Sequence, residues 1–232
     1  MEDYIIRIIM YGLISWSCLF IVMKKILYPK RSLDFCNRCV SIIHALLAVA
    51  ISCFSIQDWN CPVCPLASKS SPIQMKTLAM SLSYMIYDLF CCQYSNVLKL
   101  DSFIHHFVSI VGFATGLIYK RCGSEMVAAL LITEMSSPFL HLRELLKELG
   151  YKDTILNLAA DVSFAVIFTV ARMVGGPYLT YLTLSANNPL LIKAMALGLE
   201  LVSVFWFYKI VKMMKYKLSR FGSLGSTKAH KQ

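Results

Sequence analysis

The chain carries apolar blocks of bilayer-crossing length, one after another, and this limits what it can fold into more than any other feature. A helix needs roughly 20 apolar residues to cross a hydrocarbon core. Runs near that length lie at about Ile5–Met23, Arg38–Ile56, Gln74–Tyr94, Phe103–Tyr119, Ser124–Leu142 (interrupted by Pro138), Thr154–Met173 and Leu190–Val211. Of the 232 residues, 57% are hydrophobic and only 16% charged, where a soluble domain would be about a quarter charged. None of the blocks alternates with period two, so a closed strand barrel is excluded. The fold expected is all-α: a polytopic bundle of about seven transmembrane helices. Residues 1–33 would form an N-terminal anchor span and a basic loop, 34–217 a six-helix membrane domain, and 218–232 a disordered basic tail.

The net charge of +10 does not point to nucleic acid, because of where the charge sits. Lys24, Lys25, Lys30, Arg31 and Arg38 follow the first block, and seven basic residues run from Lys209 to Lys231. The loops after spans two and six carry one basic residue (Lys69) and none. Basic loops beside spans mark the cytosolic side and touch anionic headgroups. The N-terminus is therefore expected in the lumen and the C-terminus in the cytosol. Glu2 and Asp3 replace the basic start of a removable signal peptide, so span one reads as a retained anchor.

Nine cysteines include Cys36-x-x-Cys39 and Cys61-x-x-Cys64, a zinc-ribbon spacing. A membrane-crossing segment separates the pairs, so they cannot share an ion. Cys61 and Cys64 face the lumen, where pairing into a disulfide stays open. Cys91 and Cys92 lie near a cytosolic helix end, open to palmitoylation.

Polar residues inside the blocks carry the functional signal. His44, Asp88, His105, His106, Glu134 and Asp161 come from five spans, and all fall in the cytosolic half. An isolated charge at mid-membrane costs about 2.5–3.5 kcal/mol or more, so such groups face each other or water. The expectation is a polar cavity, open to the cytosol and closed toward the lumen. Tyr84 and Asp88, four apart, share one helix face. His105 and His106 are about 100° apart around their helix and cannot both point the same way. Ser136 and Ser137 precede Pro138, which frees a backbone carbonyl that hydroxyls can satisfy. Arg143 and Arg172 stand at helix ends, where basic side chains snorkel. A histidine beside a carboxylate is the minimum for general-base work, though buried His and Asp also simply join helices. With only five histidines and no His-x-x-x-His pair, no metal is expected, and Lys193 is at the wrong depth for a retinal Schiff base.

Four segments, in order, resemble the TLC domain: Asn37-Arg-Cys-Val-Ser-Ile-Ile-His44, Ser83-Tyr-Met-Ile-Tyr-Asp-Leu89, Ile104-His-His-Phe-Val-Ser109 and Thr133-Glu-Met-Ser-Ser-Pro-Phe139. The likeness covers about Asp34 to Lys217 and is greatest to the small TLC-domain-only proteins, plant members among them. It implies a helix bundle around a lipid tunnel in the endoplasmic reticulum or another endomembrane, with membrane lipids as partners. It implies fatty acyl-CoA as co-substrate and sphingolipid as product class if the chain is a ceramide-synthase-like N-acyltransferase, with no other cofactor. In the synthases a histidine pair is catalytic; His105 and His106 match it, with Asp88 or Glu134 as orienting carboxylate. His44, Tyr84, Ser136, Ser137, Arg143, Asp161 and Arg172 would line the ligand site. The chain departs from the synthases in having only Glu134 where they carry several aspartates, and in lacking a homeobox-like region. Three roles follow: lipid binding or sensing that affects membrane composition, acyl transfer, or a membrane adaptor for cargo. Homo-oligomerisation is left open.

Overall fold

The computed structural model describes residues 3–95 and 99–229. They form α1 (Asp3–Leu27), α2 (Leu33–Ser55), α3 (Pro72–Tyr94), α4 (Leu100–Tyr119), α5 (Gly123–Glu134), α6 (Ser137–Glu148), α7 (Ile155–Phe168), a π-helical turn (Thr169–Gly175), α8 (Gly176–Ser185) and α9 (Leu190–Ala229). Local chemistry sets the starts. Ser32 caps α2 by accepting from Phe35 N at 3.0 Å. Ser71 and Gln74 form a reciprocal capping box on α3, with Pro72 in its first turn where no N–H is needed. Thr154 caps α7.

The chain is a multi-pass helical membrane protein. Five segments are long and apolar enough to cross a bilayer: α1, α2, α4, Ile155–Ser185 and Leu190–Lys217. The remaining two passes are α3 and the α5–α6 pair, completing the seven expected. These two carry polar side chains because they face other helices rather than lipid. Thr77, Ser81, Ser83 and Asp88 on α3 are all buried.

The uncharged stretch after span six differs from the loop expected there. Gly175-Gly-Pro reads as a turn signal, yet the helix passes through it. Pro177 stands in the first turn of α8, where its missing N–H costs nothing, and the π-helical turn before it absorbs the change of phase. The tail read as disordered from 218 falls within α9 as far as Ala229, and residues 230–232 lie outside the described residues.

Span one is more than an anchor. Ile5 and Trp16 of α1 are buried in the same core as Leu78, Leu82 and Met85 of α3. Trp16 Nε1 donates to Ser83 Oγ at 3.3 Å. The approach is closest at Gly12, where a Cβ would lie 2.2 Å from Ser83 Oγ.

One end of the bundle carries Cys61 and Cys64, joined as a disulfide, and the loop closed against α5 by Ala67 N donating to Glu125 Oε1 at 2.6 Å. Cys36 and Cys39 begin α2 at the other end, so the two pairs are a helix length apart. At that other end, Ser32 N and Oγ donate to the Glu148 carboxylate at 2.8 and 2.6 Å, tying α2 to α6.

Candidate functional site

A polar relay crosses three helices at the second end. Tyr87 Oη donates to Asn37 Oδ1 at 2.8 Å, and Asn37 Nδ2 donates to Asp88 Oδ1 at 2.7 Å. Asp88 Oδ2 meets His106 Nε2 at 2.7 Å, and His106 Nδ1 lies 2.7 Å from the Ser102 carbonyl. A carbonyl can only accept, so Nδ1 carries a proton. Both ring nitrogens of His106 are therefore engaged, and neither offers a lone pair to a reactant.

His105 is placed differently, as the helical angle requires. Its ring sits 4.9 Å from that of Trp206 and 5.7 Å from that of His106. Its Nδ1 has no hydrogen-bond partner among the described residues. Trp206 is itself fixed by donating to Asp101 Oδ2 at 2.7 Å, which also pairs with Lys209 at 2.9 Å.

The α5–α6 break supplies the opposite wall. Pro138 cannot bond back to Glu134, and the chain turns at Met135–Ser136. The Thr133 carbonyl left near the break accepts from Ser137 Oγ at 3.4 Å and from Arg172 Nη2. Arg172 stands on the π-helical turn, with its guanidinium 5.1 Å from the Phe168 ring and 5.6 Å from the Trp206 ring.

These elements enclose two spaces. A polar vestibule of about 430 Å³ is walled by Tyr84, Asp88, His105, His106, Glu134, Ser136, Ser137, Arg143 and Arg172. A narrow apolar chamber of about 100 Å³ runs between α4, α5, α8 and α9, past Val108, Leu130, Met195 and Leu199. Met85, His105 and Arg172 line both. From Ser203 to Ile192 the chamber follows α9 for about 16 Å, half the thickness of a hydrocarbon core.

Nine of the eleven residues singled out from the sequence thus share one vestibule. Two stand apart. His44 is fully buried behind it, stacked on Tyr84 with centroids 3.6 Å apart and edge-on to Trp16 at 5.7 Å. Asp161 forms an ion pair with Arg143 Nε at 2.6 Å, without the alignment of a good hydrogen bond, and another with Lys217. It clamps α7 to α6 and α9 instead of facing the cavity. The sequence reading passed over Asn37, Tyr87, His141 and Trp206. Asn37 had a legible signal: it lies four and seven residues before Ser41 and His44, on the same α2 face, and an amide in a span is costly. Among the described residues, no group of three or more His, Cys, Asp or Glu is placed to hold a metal.

The family model for the TLC domain matches residues 34–212. The chain belongs to the TLC-domain family. This TLC domain is 26% identical over 202 residues to TLC domain-containing protein 4-B of Danio rerio, covering 79% of this chain and 75% of that one. It is 23% identical over 208 residues to TLC domain-containing protein 4 A of Dictyostelium discoideum, covering 85% and 80%. A TLC domain-containing protein of Acanthamoeba polyphaga mimivirus is 25% identical over 121 residues, half of this chain and 60% of that protein. Fold and family together make this a membrane protein associated with lipid handling.

Proposed function

We propose that this TLC domain binds one single-tailed lipid, with its tail in the chamber and its polar end in the vestibule, and so affects membrane lipid composition. The observation that carries the reading is the shared wall at Met85, His105 and Arg172. An amphiphile needs a dry slot and a polar pocket in continuity, and the chamber's depth suits a tail that otherwise spans one leaflet. The basic loop after α1 supports a vestibule mouth on the cytosolic side and an N-terminus in the lumen. The family resemblance favours the endoplasmic reticulum. The test is native mass spectrometry of wild type and Ala196→Trp, which fills the chamber from α9. Wild type is expected to retain a single-tailed lipid that the folded variant lacks. Equal occupancy would contradict the reading.

A second reading is acyl transfer from acyl-CoA to an amine, and one observation favours it. His105, not His106, has a nitrogen without a partner where the two spaces join. There it would take a proton from the amine as nitrogen attacks the thioester carbonyl. The C–N bond forms, the C–S bond breaks, and the proton passes to the departing thiolate. His106, pinned by Asp88, would position it. Incubation with labelled acyl-CoA and long-chain amines is expected to give amide with wild type and none with His105→Ala. Absence of amide from wild type would exclude transfer to the amines tried.

A further inference from the structure

Arg172 has more binding capacity than the protein uses. The residue is 4% exposed, and of its three side-chain nitrogens only Nη2 has a hydrogen bond among the described residues, to the Thr133 carbonyl. Nε and Nη1 have no hydrogen-bond partner among the described residues. Glu134 and Glu200 stand on adjoining walls, yet neither hydrogen-bonds to the guanidinium among the described residues. Glu200 Oε2 instead rests against Gly176, where a Cβ would meet it at 2.7 Å. Glu134 and Glu200 attract the guanidinium through space, but a buried arginine whose Nε and Nη1 lack hydrogen bonds remains costly, because those donors go unmet.

Its placement says what would compensate it. Arg172 borders both spaces, and the aromatic faces of Phe168 and Trp206 flank it without competing for its N–H groups. It rides on a π-helical turn, a distortion that recurs at functional positions. Below it lies an apolar slot and above it a polar pocket. A group bound here has its tail below and its head against the guanidinium. Guanidinium recognises planar oxyanions through charge-assisted hydrogen bonds.

We infer that Arg172 anchors the carboxylate of a free fatty acid whose tail occupies the chamber. The inference rests on the lipid-binding reading and deepens it by fixing the ligand's head as an anion. A neutral alcohol of equal length would fill the same slot and leave the guanidinium as it is.

The test is equilibrium binding to the full chain in nanodiscs, using dodecanoate, dodecanol and dodecyl phosphate. Wild type is expected to bind dodecanoate at least about tenfold more tightly than dodecanol, the usual strength of a charged hydrogen bond. Arg172→Met should abolish that gap and keep the affinity for dodecanol. Equal binding of acid and alcohol by wild type would overturn the inference and leave tail binding standing. A gap that survives Arg172→Met would overturn the assignment to Arg172. Dodecyl phosphate binding tenfold more tightly than dodecanoate would replace the carboxylate with a lipid phosphate. Failure of all three probes to bind would remove the underlying reading too. If Arg172→Met does not fold, the wild-type ratio still decides on the anion. Arg172→Lys, which keeps the charge and loses the planar array, then tests the residue: its gap is expected to shrink, and an unchanged gap would count against Arg172.

Discussion

Asp88 of α3 and His106 of α4 meet at 2.7 Å, and Asn37 of α2 holds the other Asp88 oxygen over the same distance. Three helices are thus joined through one carboxylate, whose side chain is 11% exposed. Such a knot fixes the floor of the vestibule and consumes both nitrogens of one histidine. It leaves the neighbouring histidine as the one with spare capacity.

Removing the carboxylate should therefore cost more than removing the amide. Asp88→Ala strands His106 and the Asn37 amide, a loss of about 3–5 kcal/mol for a broken buried charge pair. Asn37→Ala leaves the pair intact and should cost about 1–3 kcal/mol. Thermal unfolding in detergent measures both. Equal midpoints for the two variants would show that the relay does not hold the helices together.

Span one packs by a close approach at Gly12, so bulk there should undock it. Gly12→Val pushes into Ser83, whose Oγ lies 2.2 Å from an added Cβ, and overpacking costs about 1–3 kcal/mol. Adding Ser83→Gly should recover part of that loss. A double variant no better than the single would place the contact elsewhere.

Asp161 serves two cations from different helices, Arg143 on α6 and Lys217 on α9. Asp161→Leu leaves both buried or half-buried charges without their partner, and a loss of about 3–5 kcal/mol is expected. Adding Arg143→Met should make the chain more stable than Asp161→Leu alone, because one unpaired charge is gone. Chemical denaturation followed by tryptophan fluorescence reads both values. Additive losses would argue against the clamp.

Glu144 lies in the charged last turns of α6, beyond Leu142 where the apolar run of that pass ends. Burial raises its pKa, but the hydrogen bond from Lys147 at 2.6 Å and the charges of Arg143, Lys147 and Arg38 outweigh burial and hold it below the usual carboxylate range. A depressed carboxylate stabilises the fold above its ordinary value of 4.5, and the contribution disappears as pH falls through the lowered one. Its side chain is 30% exposed, so the pair should be worth about 0.5 kcal/mol. The stability gap between wild type and Glu144→Gln should be present at pH 7 and vanish under strong acid. A gap that grew on acidification would have the wrong sign.

Much of this arrangement was legible in the sequence because the bilayer makes polar residues expensive. Asp88, His105, His106 and Glu134 had to share an interior, and helical spacing correctly separated the two histidines. Pro138 announced the break that exposes the Thr133 carbonyl. His44 and Asp161 misled because depth alone places a residue along a helix and not around it. His44 faces α1, whose tryptophan covers it, and Asp161 faces the late turns of α9. Gly175-Gly-Pro was misread because a π-helical turn has no sequence signature. Arg172 reads from the sequence both as a ligand-site residue and as a basic side chain at a helix end, and that helix end does not exist, since the helix continues through it.

The most direct test of the two-space site is photocrosslinking with dodecanoic acid carrying a diazirine at its terminal carbon, mapped by peptide mass spectrometry. The account predicts adducts on chamber residues such as Met126, Ile132 and Met195, lost in Ala196→Trp. Adducts confined to outward-facing residues such as Ile14, Phe54 and Val166 would mean that the tail lies in the surrounding lipid and that the chamber is not its site.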